Sequence, residues 1–289
     1  MKRLIGTLAL ATMAIVSGTA GAQDRTTPTK PPATAATAPP PEPAGDAQEL
    51  AKKLSNPIAA LISVPFQSNF DFNIGPGDDG WKYQLNIQPV VPISISEDWN
   101  VISRTILPLV SQYDIFPGAG DQFGLGDITQ SFFFSPKAPS AFGRLIWGVG
   151  PAMLIPTATD DLLGTEKFGI GPTAVVLKQD GPWTLGMLAN QIWSVAGDSD
   201  REDISNLFLQ PFVSYTTKDA WTFALNTESN YNWKDEEWSV PINLQVTKIV
   251  KIGPLPVSLG AGVRYWAVSP DSGPEGVGVR TIVTFLFPK

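Results

Sequence analysis

Apolar and polar side chains alternate at a period of two from Ile58 to the C-terminus, and this pattern constrains the fold more than any other feature. The first run places Ile62, Val64, Phe66, Phe70, Phe72 and Ile74 between Ser63, Gln67, Asn69, Asp71 and Asn73. The runs over 81–88, 221–233 and 238–245 repeat it. Successive side chains of a strand point to opposite faces, whereas a helix would repeat near 3.6 residues. The pattern predicts an all-β region.

Turn residues divide this region into twelve predicted strands, centred on residues 66, 87, 106, 130, 151, 174, 189, 211, 227, 244, 262 and 282. The region has 289 − 57 = 232 residues, or roughly 19 per strand and connection, which suits membrane strands of about ten residues joined by loops. Single-chain outer-membrane barrels have an even number of strands. We therefore predict a transmembrane antiparallel up-and-down β-barrel of twelve strands over 58–289, with strands three, four and six the hardest to bound.

The N-terminal region differs from the barrel region in composition. Lys2 and Arg3 precede an apolar stretch that ends in small residues at Ala20-Gly21-Ala22, which predicts a cleavable signal peptide over 1–22. Residues 23–45 are rich in Pro, Ala and Thr and predict a disordered periplasmic segment. No later window is apolar enough for a spanning helix. The expected location is the outer membrane of a Gram-negative-type cell.

A short helix is predicted over 46–57. Asp46 and Glu49 resemble a capping box, Leu50 and Leu54 share one face, and Pro57 ends the pattern. Such a helix is either a spacer or a lid or plug for the barrel.

Two amino acids are missing from the composition, and their absence narrows the chemistry. The chain has no His and no Cys, which excludes Ser-His triads, His-based zinc sites, thiolate nucleophiles and disulfides. We predict no enzyme activity, no cofactor and no metal site. Without the signal peptide the formal charge is 18 − 27 = −9, so no nucleic-acid partner is expected.

The connections and their charges support a sidedness. Predicted periplasmic connections are mostly short, and predicted outer loops are mostly longer, as in outer-membrane barrels. Sixteen of the 27 acidic residues fall in the outer loops: Asp78, Asp79, Asp114, Asp121, Asp160, Asp161, Glu166, Asp198, Asp200, Glu202, Asp203, Asp235, Glu236, Glu237, Asp271 and Glu275. An acidic rim either binds cations that bridge lipopolysaccharide or enriches cations at a pore mouth. The alternative is a set of loops that charge keeps solvated.

Tryptophans lie near the ends of the predicted strands, as an interfacial aromatic girdle requires. The predicted girdle comprises Trp81, Trp147, Trp183, Trp193, Trp221, Trp233, Trp238 and Trp266, and Trp99 lies in a predicted inner turn. A soluble β-protein, the alternative, would bury tryptophans at any depth and carry Lys and Glu on its other face. Here that face carries Asn, Gln, Ser, Thr and Gly.

Charged residues within strands are predicted to line the lumen, because a charge on the lipid face near mid-membrane costs about 2 to 4 kcal/mol. The candidates are Asp71, Lys82, Arg104, Asp127, Glu228, Arg264 and Arg280, with Lys178 and Lys248 nearer the inner strand ends. A last hairpin symmetric about Ser272 would place Arg264 opposite Arg280. We then expect Asp71 to pair with Arg280 and Arg264 to remain available to an anionic or polar solute. A purely structural ion-pair network is the alternative.

Five segments carry a resemblance to a known family: 56–67, 123–128 (FGLGDI), 131–137 (SFFFSPK), 154–161 (LIPTATDD) and 285–289 (FLFPK). They resemble the outer-membrane transporters of the MetA-pathway of phenol degradation family, relatives of which are often mislabelled neuromedin U. The resemblance covers 56–289 and implies a barrel transporter associated with phenolic compounds. Pro288 and Lys289 depart from the aromatic last residue usual in outer-membrane barrels.

These observations favour an outer-membrane channel or transporter for passive passage of small polar, anionic or aromatic solutes. The alternative is a structural or adhesive barrel with a plugged lumen that acts through its acidic loops. Expected partners are outer-membrane lipid and lipopolysaccharide, a small-molecule solute and the barrel-assembly machinery.

Overall fold

The computed structural model describes residues 44–141 and 143–288. A helix, α1 (Ala44–Leu54), precedes twelve barrel strands. These are β1 (Ile62–Ile74), β2 (Gly80–Ile87 and Val90–Ser94), β3 (Trp99–Tyr113), β4 (Asp121–Leu125 and Ile128–Pro136), β5 (Ile146–Ile155), β6 (Lys167–Asp180), β7 (Trp183–Gly197), β8 (Ser205–Thr216), β9 (Trp221–Thr227 and Ser229–Asn232), β10 (Glu237–Ile252), β11 (Leu255–Val268) and β12 (Gly276–Phe287). The predicted signal peptide and the first 21 residues of the predicted disordered segment, 23–43, lie outside the described residues.

Each strand pairs antiparallel with its sequence neighbours, and β12 closes the barrel on β1. The closing register runs from Ile62 opposite Phe287 to Phe70 opposite Val279. The prediction of a closed twelve-stranded antiparallel barrel is confirmed, and every predicted strand centre falls inside an observed strand. Strands β2, β4 and β9 each contain a short break, at 88–89, 126–127 and Glu228.

The two ends of the barrel differ in their connections. The end that holds the start of β1 and the end of β12, here called the terminal end, has connections as short as 181–182 and 253–254. The opposite end, the loop end, carries longer segments such as 156–166 and 198–204. The terminal end is the one that the sequence predicts to be periplasmic.

The outer surface of the barrel is apolar. Large hydrophobic side chains that remain exposed there include Leu185, Val195, Leu244, Val263 and Val277. A polar patch of Ser103, Thr105 and Gln130 interrupts this surface, and its members bond one another, with Gln130 Nε2 donating to Ser103 Oγ at 3.0 Å. Groups that satisfy one another in this way reduce the cost of facing an apolar solvent.

The predicted short helix is present but begins two residues earlier than expected, so Asp46 lies in its first turn instead of capping it. α1 closes part of the terminal end. Its Ala51 packs with Leu61, Ala220, Ile249 and Leu286 in what we call the helix cluster. Gln179 Nε2 of β6 also donates to the carbonyl of Lys52 at 2.8 Å. These contacts hold the apolar face of α1 inside the barrel.

A second apolar group, the Ile58 cluster, fills the lumen on the side of β3, β4, β6 and β7. It comprises Ile58, Ile102, Phe133, Val175, Leu177 and Leu188. A glycine on β5 makes the room: a Cβ at Gly148 would lie 3.2 Å from Phe133 Cβ and 3.4 Å from Ile58 Cδ1. Within the described residues, no helix has the length and apolarity that a membrane-spanning helix requires.

Candidate functional site

The inward faces of β8, β9 and β10 divide the lumen into three levels. At the loop end, Asn206, Asn230 and Ser239 border an open vestibule of about 750 Å³. One row further in, Glu228 and Asn243 lie at the level of the charged side chains. Below them, Asn226 and Gln245 border an inner cavity of about 220 Å³ whose floor includes Ala51 and Leu54 of α1. The lumen is therefore polar from the vestibule to the cavity, and a charged belt separates the two.

We define the charged belt as Asp71, Lys82, Arg104, Glu228, Arg264 and Arg280. Strand alternation and register turn Asp71, Lys82, Arg104, Arg264 and Arg280 toward the lumen. Glu228, in the break of β9, faces the lumen because it bonds Arg280. The belt holds four cations and two anions, so its formal charge is 4 − 2 = +2. An excess of buried positive charge makes the middle of the lumen attractive to anions.

Arg280 is fully paired. Its Nη1 and Nη2 donate to Oε1 and Oε2 of Glu228 at 3.0 and 2.7 Å, and its Nε donates to Asn69 Oδ1 at 2.7 Å. Only 1% of the Arg280 side chain is exposed. Because β10 and β11 separate Glu228 on β9 from Arg280 on β12, this bidentate pair crosses the lumen as a bar.

Arg264 is held differently, between a carboxylate and an aromatic ring. Its Nε lies 3.6 Å from Asp71 Oδ1, and its guanidinium carbon lies 4.5 Å from the centroid of the Trp266 ring. Trp266 Nε1 in turn donates to Asp71 Oδ1 at 2.9 Å. The buried Arg264 Nε has no hydrogen-bond partner among the described residues. This guanidinium is thus positioned but incompletely bonded.

The expected pairing of these residues is wrong in two respects. Arg280 pairs with Glu228, and Asp71 pairs with Arg264. The reason is the register on both sides of β12. In the last hairpin Arg264 lies opposite Gly278 and Arg280 lies opposite Gly262, and at the closure Arg280 lies opposite Asn69, two residues from Asp71. A shift of two residues keeps the same faces inward, and it places each long cation opposite a glycine instead of opposite the other cation.

Lys82 and Arg104 complete the belt. Lys82 on β2 lies opposite Asp71 on β1 but makes no ion pair within 4 Å in the described part of the chain. Arg104 on β3 donates from Nη2 to Gln88 Oε1 at 3.2 Å and also has no carboxylate within 4 Å. These two cations keep free donors that face the lumen.

Asp127, predicted to line the lumen with the other charges, has a different role. It occupies the break in β4, where Oδ1 accepts from the backbone N–H of Thr157 and Ala158 at 3.1 and 3.2 Å. Its Oδ2 accepts from both the N–H and the hydroxyl of Thr165 at 2.7 Å. Asp127 therefore fastens the loop 156–166 to the wall, because four donors converge on one carboxylate.

The loop that Asp127 fastens folds over the loop end. Gln112 Nε2 of β3 donates to the Leu162 carbonyl at 3.3 Å, and Arg201 Nη2 donates to the Gly164 carbonyl at 2.6 Å. On the neighbouring loop, Lys167 Nζ lies 3.1 Å from Asp203 Oδ1. The hydrogen bond from Lys167, followed by that from Ser194, lowers the pKa of Asp203. The acidic rim is thus tied together by a few cations.

Seven of the eight tryptophans predicted for the girdle face outward near strand ends, in two rings. Trp147, Trp183 and Trp221 lie at the terminal end with Trp99, whose ring centroid is 5.9 Å from that of Trp147. Trp81, Trp193, Trp233 and Trp238 lie at the loop end, where Tyr231 contacts Trp233 and Trp238. Lys248, predicted near an inner strand end, points outward and places its amine 4.7 Å from the Trp221 centroid.

Trp266 is the exception among the predicted girdle residues, and its assignment is corrected. It faces the lumen, where its ring and its N–H hold Arg264 and Asp71. The register between β10 and β11 shifts between Val240 and Pro241. The shift does not set the direction of Trp266, because Trp266 follows Arg264 by two residues on β11 and the same alternation turns both side chains inward. A place near the end of a strand does not by itself reveal which face a side chain is on.

Several residues of the site are uncharged, so a prediction based on charged residues within strands does not include them. Asn69 and Asn243 are almost completely buried at the belt, and Asn243 Nδ2 donates to Asn226 Oδ1 at 2.9 Å. Ile58 occupies the lumen from a segment outside the barrel wall. A usable signal for the amides is their place on the inward row of the alternation. No comparable signal exists for Ile58.

Solved structures share this architecture. An outer membrane channel from Pseudomonas putida F1 matches with a TM-score of 0.62 and 12% identity, over 79% of this chain and 96% of that one. The NanC porin matches with a TM-score of 0.46 and 13% identity, over 78% of this chain and 98% of that one. The outer membrane phospholipase A of Escherichia coli matches with a TM-score of 0.45 and 11% identity, over 85% of this chain and 98% of that one. At these identities the first likeness establishes the fold alone, and the other two are too distant to carry an argument.

No protein-family model and no curated protein matches the chain. Membership of the MetA-pathway family therefore stays a prediction from the sequence.

Proposed function

We propose that the chain is an outer-membrane channel for passive passage of small solutes, with a preference for anions set by the charged belt. The observation that carries the proposal is the set of polar and charged side chains inside the barrel, at the vestibule, at the charged belt and in part of the wall of the inner cavity. Selectivity in such a pore comes from its width and wall charges. The apolar outer surface between two aromatic rings supports placement in a bilayer.

A planar-bilayer recording of the purified mature chain tests this function. In a salt gradient we expect discrete conductance steps and a reversal potential whose sign shows that anions pass more readily than cations. Lys82→Glu changes the belt charge from +2 to 0, because it replaces a cation with an anion, and should move the reversal potential toward zero. Lys248→Glu is the matched control, since Lys248 lies outside the lumen beside Trp221, and it should leave the reversal potential unchanged.

The terminal end predicts how large the steps are. The helix cluster and the Ile58 cluster narrow the lumen there, so we expect small steps from the intact chain and larger ones after deletion of residues 23–55. A folded, heat-modifiable barrel that stays silent in both forms would contradict the channel.

The apolar filling at the terminal end favours a second candidate, a structural or adhesive barrel that acts through its acidic loops. This role predicts that the 23–55 deletion leaves solute permeability at zero while replacement of loop acids weakens adhesion to lipopolysaccharide. The two candidates therefore differ in the response to one deletion.

A further inference from the structure

The inner cavity combines a cation, unpaired polar atoms and an apolar floor. Arg104 and Gln88 line one side, and Phe212, Ile282 and Leu54 line others. Two buried atoms of its wall, Ser214 Oγ and Gln245 Oε1, have no hydrogen-bond partner among the described residues. Buried polar groups are normally paired. Of these two atoms, the Ser214 hydroxyl can donate to an oxygen atom of a guest, whereas Gln245 Oε1 only accepts.

We propose that the inner cavity binds a small monocarboxylate with a compact apolar body, whose carboxylate is held by Arg104. The inference deepens the proposed channel function and rests on it, because it names the class of solute that pauses below the belt.

The chemistry of Arg104 selects the charged end of the guest. A guanidinium has five N–H donors in a planar fork that matches a carboxylate, and Arg104 uses a single hydrogen bond, to Gln88. Its paired counterpart Arg280 has both Nη atoms and Nε occupied. Among the described residues that line the cavity, Arg104 is the one arginine, and one guanidinium suits one negative charge rather than several.

The size and lining of the cavity select the rest of the guest. An apolar cavity of about 150 Å³ is large enough for benzene, so the 220 Å³ here accommodates a six-membered ring or short chain together with a carboxylate. Phe212, Ile282 and Leu54 supply apolar surface in the same cavity. A simple inorganic anion would leave this surface unused.

A second cavity adjoins this site on the side of the terminal end. A smaller cavity of about 150 Å³ extends from Lys53 and Asn56 past Pro57 and also borders Gln88 and Arg104. The two cavities therefore share the guanidinium. On the loop side, the bar between Glu228 and Arg280 lies between the site and the vestibule.

Calorimetric titration of the mature chain in detergent tests the site, with benzoate as the anionic probe and benzyl alcohol as the neutral probe. We expect benzoate to bind more tightly than benzyl alcohol. Arg104→Gln should weaken benzoate at least about tenfold, which corresponds to the loss of a charge-assisted interaction, and should leave benzyl alcohol nearly unchanged. Lys82→Gln is the matched control, because Lys82 is a belt cation that does not line the cavity.

A second variant separates the apolar contacts from the charge. Ala224 lies in the wall of the cavity, so Ala224→Met should weaken both probes alike. Circular dichroism and heat modifiability confirm that each variant is folded. Equal benzoate affinity in the intact chain and Arg104→Gln, or no benzoate binding at all, would overturn the site.

Failure of the site and failure of the channel are distinguishable. Conductance without benzoate binding would reject the site and keep the channel. Benzoate binding by a silent barrel would reject the channel and keep the carboxylate site.

Discussion

The loop half of the lumen is lined by polar and charged side chains, whereas the terminal half is largely filled by apolar ones. In the loop half, polar side chains border an open vestibule and lead to a bar of paired charges, Arg280 with Glu228. In the terminal half, the Ile58 cluster and the helix cluster fill much of the space with apolar side chains. A lumen of one chain thus resembles a pore at one end and a protein core at the other. Charge pairing therefore determines how the side chains of the loop half are arranged, and packing volume determines how those of the terminal half are arranged.

The largest expected effect comes from breaking the ion pair between Arg280 and Glu228 in the loop half. Arg280→Met leaves the Glu228 carboxylate without its cation, so we expect the free energy of unfolding to fall by about 3 kcal/mol. This is the low end for a buried pair, because Glu228 keeps 20% of its side chain exposed. Urea titration of the barrel in vesicles measures the loss.

Adding Glu228→Gln to that variant should recover much of the stability, since no unpaired charge then remains. A double variant as unstable as Arg280→Met alone would show that the bar stabilises the barrel by something other than charge pairing.

A second change tests the packing of the terminal half. Ile58 is 4% exposed at the centre of its cluster, and Ile58→Ala should cost about 2 to 3 kcal/mol of unfolding free energy because it leaves a cavity. The same titration measures it. Ile95→Ala, at a position 52% exposed, should change stability by less than about 0.5 kcal/mol. Equal losses at both positions would contradict a packed core in the lumen.

A smaller effect concerns the support of Arg264. Trp266→Phe keeps a ring beside the guanidinium but removes the N–H that bonds Asp71 Oδ1, and we expect a loss of about 1 to 2 kcal/mol. Trp238→Phe, on the outward ring, should have a smaller effect. If Trp238→Phe proved the more damaging change, the inward assignment of Trp266 would fail.

The smallest expected effect is a pH dependence at the loop end. The hydrogen bond from Lys167 lowers the pKa of Asp203 below its ordinary value of 3.8. A lowered folded pKa means that the stabilisation is present above pH 3.8 and is lost as the pH falls through the folded value. Amide exchange of residues 198–204 should quicken, after correction for intrinsic rates, at pH 3 relative to pH 6, and Asp203→Asn should remove this difference. A difference that survives Asp203→Asn would assign the titration to another group.

The sequence predicts the wall of this barrel far better than its contents. Alternation, together with turn residues, locates all twelve strands because most of them carry polar side chains inward and apolar side chains outward. The rule is broken on β3, β4, β6 and β7, which turn the apolar residues of the Ile58 cluster inward. Alternation also turns Lys82 and Arg104 inward. Alternation does not predict the register of the last hairpin, because a shift of two residues leaves the alternation unchanged. Only the glycines that face the two arginines, Gly262 and Gly278, distinguish the two registers.

Residues whose position depends on distant contacts are harder to predict. The role of Asp127 depends on backbone donors 30 and 38 residues later in the chain. Ile58 is a single apolar residue after a helix, and nothing local in the sequence distinguishes a spacer from a segment that enters the lumen.

One measurement tests most directly whether the terminal half closes a pore. The chain has no cysteine, so Ala51→Cys with Ile249→Cys introduces one pair between α1 and β10, where the two residues share the helix cluster. Single-channel conductance is recorded with the pair oxidised and again after reduction, with each single-cysteine variant as control. We expect the oxidised form to stay near the closed level and reduction to restore the small steps of the intact chain. Equal conductance before and after reduction, with the disulfide verified by mass, would show that α1 does not close the lumen.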